Sequence, residues 1–99
     1  MLVDFDDDNY RQLFEDEDFR VARLGPELTE KYRRVLGFIV QAADERDLYA
    51  MKSLHYEKLG GGRTGQRSLR LNRQWRLIVR VEPRENQNTI VVVEIVDYH

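Results

Sequence analysis

The last three residues of the sequence, Asp97, Tyr98 and His99, follow its most apolar run, and each can hold or move a proton. An imidazole changes charge near neutral pH, and a phenol can exchange a proton where neighbouring cations lower its pKa. His55 is the only other histidine and lies beside Tyr56 and Lys58. From Lys52 to Arg80 there are eight basic side chains and one acid, Glu57. Together these residue types suit cleavage of a phosphodiester that has a hydroxyl next to it. Such a reaction needs a base for the attacking hydroxyl, an acid for the departing oxygen, and cations for charge developing on the phosphate. His99, Tyr98, Arg70 and Arg76 could fill those roles, and two histidines flanking a basic sheet would make an acid–base pair. Taken alone, a terminal tripeptide is weak evidence, because chain ends are commonly frayed and inert. What must be asked is which elements would hold it.

The net charge of −2 conceals a division: residues 1–50 carry 13 acids and 7 bases, and residues 51–99 carry 5 acids and 9 bases. Charged runs are ordinarily solvated faces. A basic stretch this dense nevertheless points to a polyanion, and Lys58, Arg63, Arg67, Arg70, Arg73, Arg76 and Arg80 are its candidate contacts. The absence of cysteine excludes thiol catalysis, disulfides and zinc–thiolate sites. The acidic N-terminus is unlike a secretory leader, and no apolar run is long enough to span a bilayer, so a soluble, intracellular protein without membrane contact is predicted. Asp4, Asp6, Asp8 and Glu15 fall at positions 1, 3, 5 and 12 of a calcium loop, but Asn9 stands where that loop needs glycine. The segment Gly60–Gly65 lacks the Gly-Lys-Ser/Thr ending of a nucleotide loop and reads as a flexible turn with a basic tip. Neither metal nor cofactor is expected.

The elements follow from periodicity. Ninety-nine residues make one domain, residues 1–99. Leu28, Tyr32, Val35, Leu36, Ile39, Val40 and Ala43 recur at spacings of three and four behind Pro26, which gives an amphipathic helix with proline in its first turn. A weaker helix covers residues 9–16, with Tyr10, Leu13 and Phe14 on one side, and a short helical turn covers 44–49. Beyond residue 50 the period becomes two. Residues 67–71 and 75–81 alternate, 89–97 is apolar nearly throughout, and 54–59 is extended. Turns fall at 72–74 and 83–88. Helices first and strands second predict an α+β sandwich of two layers.

One geometric consequence follows. If Leu69, Leu71, Trp75 and Leu77 face the core, Arg70 and Arg76 share the other face, and a three-residue turn sets them directly opposite each other. Arg80 lies further along the same face. Like charges at a cross-strand pair repel, so an anionic partner or a nearby carboxylate is expected, with Glu94 the candidate carboxylate.

The segments Glu57-Lys58-Leu59-Gly60-Gly61, Gly65 to Asn72, Gln74-Trp75-Arg76-Leu77 and Val93 to His99 together resemble the HigB toxins of the RelE/ParE superfamily. The likeness is close over about residues 50–99 and rests on size and helix order before that. It implies two N-terminal helices on a twisted antiparallel sheet of 3–5 strands, similar to small microbial ribonucleases. It also implies a ribosome-dependent, metal-independent endoribonuclease that cuts messenger RNA in the A site through attack of the 2′-hydroxyl on the adjacent phosphate. By position, Arg70 and Arg76 would bind the scissile phosphate, with Asp97, Tyr98 and His99 as the catalytic end and His55 ahead of the glycines. The family commonly has a lysine where Gly60 stands, and Lys58 could substitute from the same side of an extended chain. The implied partners are a HigA-like helix-turn-helix antitoxin, the ribosome and messenger RNA, with operator DNA met only through the antitoxin complex, in the bacterial cytoplasm. Two other readings share the fold: a ParE-like inhibitor of DNA gyrase, which generally lacks the Tyr-His ending, and a basic-sheet RNA-binding module without chemistry.

Overall fold

The computed structural model describes residues 1–85 and 87–98. Three helices pack on one face of a five-stranded sheet. The chain runs β1 (Leu2–Phe5), α1 (Asp8–Glu15), α2 (Gly25–Gln41), α3 (Glu45–Ala50), β2 (Glu57–Lys58), β3 (Gln66–Arg70), β4 (Trp75–Arg84) and β5 (Gln87–Asp97), and the strand order is β1-β5-β4-β3-β2. None of the helices is long and apolar enough to cross a membrane among the described residues.

Each helix starts where local chemistry allows it. The Asp7 carboxylate accepts from the Asn9 amide and caps α1, while Pro26 occupies the first turn of α2, where a missing amide costs nothing. The stripe Leu28, Tyr32, Val35, Leu36 and Ile39 is buried as its period requires. Val40 and Ala43, expected on that stripe, are exposed, and Ala43 lies beyond α2, which stops at Gln41 with Ala42 extended. The Met1 ammonium then donates to the carbonyls of Ile39, Val40 and Ala42, groups that a helix end leaves without partners.

That contact accompanies the main departure from the predicted sheet. Leu2–Phe5, too short to register as a strand by periodicity, adds to β5 in parallel with Val3 beside Ile90 and Phe5 beside Val92. The sheet is therefore mixed rather than purely antiparallel. The remaining neighbours are antiparallel, as expected. Residues 54–59 are not one extended segment. Lys52–Leu54 forms a 3-10 turn, His55 is left-handed, and Glu57 and Lys58 alone pair with β3. The predicted 83–88 turn is also shorter, since Pro83 pairs with Asn88 and Arg84 with Gln87.

Leu69, Leu71, Leu77, Val79, Ile90, Val92 and Ile95 form the sheet's side of one core, against Leu13, Tyr32, Leu36, Ile39 and Leu48 from the helices. The buried Tyr10 hydroxyl accepts from the Ile95 amide at 3.0 Å and from Arg23 at 2.7 Å, and the Tyr32 hydroxyl donates to the Tyr10 carbonyl at 2.7 Å. These bonds clamp α1 and α2 to β5 just before its final residues. Burial drives the Tyr32 phenol far above its ordinary pKa, so it stays a neutral donor.

Arg67, expected among the polyanion contacts, faces the helical layer. Its Nε donates to Glu45 of α3 at 3.1 Å, and the Tyr56 hydroxyl donates to the same carboxylate oxygen at 2.6 Å. Burial, and after it the bond to Glu45, raises the Tyr56 phenol well above its usual range. With both partners mostly covered, removing the guanidinium strands a carboxylate. Arg67→Ala should therefore cost roughly 1–3 kcal/mol, read as a fall in the urea midpoint at unchanged slope. Arg73→Ala, on an exposed turn, should leave the midpoint within about 0.5 kcal/mol of the parent.

Candidate nucleic-acid interface

Arg70 on β3 and Arg76 on β4 are direct cross-strand partners on the face away from the helices. The turn between them supplies the register. The Asn72 side-chain oxygen accepts from the amides of Gln74 and Trp75 at 2.9 and 2.8 Å, and the Leu71 amide donates to the Trp75 carbonyl at 3.0 Å. Two guanidinium groups this close repel, and each has a different escape. Arg70 donates through Nε to the Asn72 carbonyl and through Nη1 to His55 Nε2, both at 3.3 Å. The Arg76 guanidinium carbon lies 5.1 Å from the centre of the Tyr98 ring, a cation–π contact. Its Nη1 is buried with no hydrogen-bond partner among the described residues. A buried cationic N–H left unmatched is costly.

Tyr98 is brought to Arg76 by the same turn. Its backbone amide donates to the Gln74 carbonyl at 2.6 Å, and the Gln74 side chain donates to Asp97 at 2.9 Å. The strand β5 runs to Asp97, so the end of the chain leaves a hydrogen-bonded ladder rather than a loop. Tyr98 is half exposed, and its ring is open to a ligand. His99 lies outside the described residues.

His55 adopts φ +47 and ψ +48, a left-handed conformation uncommon for a side chain with a Cβ and one that gathers at functional sites. A guanidinium has no acceptor, so in its contact with Arg70 it is His55 Nε2 that carries the lone pair. A phosphate that draws Arg70 away would free that lone pair for a proton beside the phosphate.

The rest of the basic stretch is divided. Arg63 donates to Gln66 at 2.9 Å and pairs with Glu94 at 3.3 Å, so among the described residues Glu94 serves Arg63 rather than Arg70 or Arg76. Arg80 pairs with Asp6 and, at 3.5 Å, with Glu82, and the bond to Asp6 raises its pKa. Arg84 bonds Asp4 and Glu82, each at 3.3 Å. Asp4, Asp6 and Asp8, which imitate part of a calcium loop in sequence, are therefore each taken by an arginine, Asp8 by Arg11. Ile78 and Val91 belong to this outer face yet are buried; their register partners are Glu94 and Arg80, whose side chains join these ion pairs. Lys58 and Arg73 are exposed. The structure thus gathers Arg70, Arg76, His55, Asp97 and Tyr98 at one end of the sheet. It leaves Lys58 and Arg73 at the margin and sets Arg63, Arg67 and Arg80 into internal pairs.

Sequence reasoning missed Gln74, which holds the tail, and Lys31 of α2, which shares a cavity with His55 and Arg70. Gln74 was accessible in principle: a polar residue in a turn whose strand neighbours the tail. Lys31 gave no signal, since an exposed lysine on a helix is ordinary.

The chain matches, over residues 3–99, a family model described as the RelE-like toxin of type II toxin–antitoxin system HigB. Its fold is similar to that of a YoeB/ParE toxin from Agrobacterium tumefaciens, at TM-score 0.55 and 18% identity with both chains fully covered. It is also similar to YafQ from E. coli strain BL21(DE3), at TM-score 0.60 and 9% identity over 96% of this chain and 90% of the other. No curated protein sequence matches the chain.

The strained histidine gives a test that needs no substrate. At a positive φ, glycine is favoured over alanine by about 1 kcal/mol. His55→Gly should therefore unfold at a higher urea concentration than His55→Ala, and equal midpoints would show that residue 55 is not left-handed in solution.

Proposed function

Because the chain belongs to the HigB-like family of RelE-like toxins of type II toxin–antitoxin systems, we propose that it arrests translation as a ribosome-dependent, metal-independent endoribonuclease. The observation that carries this reading is the Arg70–Arg76 pair, flanked by His55 on one guanidinium and Tyr98 on the other. The cation pair offers a scissile phosphate two charge-assisted partners from adjacent strands. A 2′-hydroxyl attacks the adjacent phosphorus while a base takes its proton, and the 5′-oxygen leaves with a proton from an acid. The new bond closes a 2′,3′-cyclic phosphate, so atoms and charge balance without a further reactant. His55 Nε2 suits the base. Tyr98 and His99 are the candidate acids, His99 on the strength of its family position. Asp97, tied to Gln74, orients the end that carries them. Lys58, Arg63 and Arg73 would meet the flanking RNA. Arg67 and Arg80 would act indirectly, by holding the sheet that carries the pair.

On the same reading the partner is a HigA-like helix-turn-helix antitoxin that silences the toxin and links it to operator DNA, and the site of action is the ribosomal A site in the bacterial cytoplasm.

The test is to induce the protein in bacteria and map messenger 5′ ends. New ends within translated frames are expected for the wild type and none for His99→Ala. Arg76→Ala should retain the fold and lower cleavage about 10²–10³-fold, the usual cost of removing one donor to a developing charge. Growth arrest with intact messenger and stalled replication would contradict the reading and favour gyrase inhibition.

A further inference from the structure

Arg70 faces two ways. Besides standing opposite Arg76, it lines two adjoining cavities at the open edge of β3, where β2 has stopped pairing and α2 passes close by. The first, about 380 Å³, is lined by Lys31, Ser53, His55, Arg70, Asn72 and Arg73, with Leu71 at its base, and none of these is acidic. The second, about 310 Å³, shares Lys31, Ser53, Arg70 and Leu71 with it and continues along α2 past Arg34 to Val35, Phe38, Met51 and Leu54. The result is one trough that begins at the candidate phosphate site and runs between α2 and the Lys52–Leu54 turn. Its rim is cationic and its far floor is apolar, with one aromatic ring and one thioether. Met51 is exposed although it is a large apolar side chain. Among the described residues, the one ion pair on the rim joins Arg34 to Glu30, both largely in solvent, and such pairs are readily exchanged.

From this we infer that the trough holds the stretch of single-stranded RNA next to the scissile phosphodiester, with Lys31 and Arg34 on its phosphates and Phe38 and Met51 against its bases. The inference rests on reading Arg70 and Arg76 as the phosphate pair. Two observations favour RNA over an acidic protein segment. The trough is continuous with that pair through Arg70 itself. An aromatic ring among apolar side chains beneath cations is how unpaired strands are commonly bound. Lys31 and Arg34 are then binding residues that extend the site by a few nucleotides and contribute to which sequences are cut.

The protein has two methionines, Met1 and Met51, so a methyl-labelled sample gives a reporter that lines the trough, Met51. The probes are 2′-O-methyl oligouridylates of three and six residues, which cannot undergo attack by a 2′-hydroxyl. The hexamer is expected to shift the Met51 methyl more than the trimer does, and to bind about tenfold more tightly than the trimer by fluorescence anisotropy. The exposed substitution Arg34→Ala, which touches the trough beyond the phosphate pair, should reduce that advantage without changing the trimer. It should also lower the slope of log affinity against log salt by about 0.7, one single-strand phosphate contact. A hexamer no tighter than the trimer, with Met51 unmoved, overturns the inference while leaving the phosphate site standing if trimer binding is lost in Arg76→Ala. Absence of binding by both oligomers overturns the inference. A hexaglutamate peptide that shifts Met51 where RNA does not assigns the trough to an acidic protein partner, and the inference fails.

Discussion

Two guanidinium groups facing each other across a hairpin is an arrangement that charge repulsion opposes and that register alone imposes. The register belongs to the turn at Asn72–Gln74, where one side-chain oxygen gathers two amides and closes the hairpin with three residues. A shift of one residue would send Arg70 and Arg76 into the core and Leu69 and Leu77 into water, so the apolar packing of the sheet enforces the same register. The turn then does a second task. Gln74 takes hold of Asp97 and Tyr98, which sets the phenol ring over Arg76. Cation pair and chain end are thus located by one short segment, and the rest of the molecule holds that segment still.

Electrostatics on the outer face separates supporting arginines from available ones. Along β1, β4 and β5, Asp4, Asp6, Glu82 and Glu94 neutralise Arg84, Arg80 and Arg63, and the residues beneath are covered. At the other end the nearby carboxylate, Asp97, is held by Gln74, and Arg70 and Arg76 turn to a histidine, a carbonyl and an aromatic ring. None of these matches a full positive charge. The gradient along the sheet, from paired to unpaired, is what an anionic ligand would read. It also explains why the sequence pI near 5.7 does not describe this surface.

Much of this was legible in the sequence, for definable reasons. The opposition of Arg70 and Arg76 follows from alternation and the parity of a three-residue turn, both local. The stripe of α2 follows from its period. What was not legible depends on contacts distant in sequence. The strand β1 has only Val3 and Phe5 to show for itself and exists because β5 offers it an edge. The assignment of Arg67 to Glu45, and of Arg80 to Asp6, joins residues 22 and 74 positions apart, and a basic residue looks the same in sequence whether or not it is paired. Residues 54–59 look extended because Leu54 and Tyr56 are both buried, and the left-handed break at His55 between them leaves no mark on that pattern. That break aims the histidine at Arg70.

On the proposed reading the paired arginines hold a phosphate while its neighbouring 2′-hydroxyl attacks. It is tested most directly on a programmed ribosome with a defined messenger, in chelator, by analysing the 3′ ends of the cut product. A 2′,3′-cyclic phosphate is expected, with no cut in a messenger carrying a single 2′-deoxy residue before the scissile bond. Cleavage that persists past the 2′-deoxy residue, or ends bearing a free 3′-hydroxyl, would contradict the account.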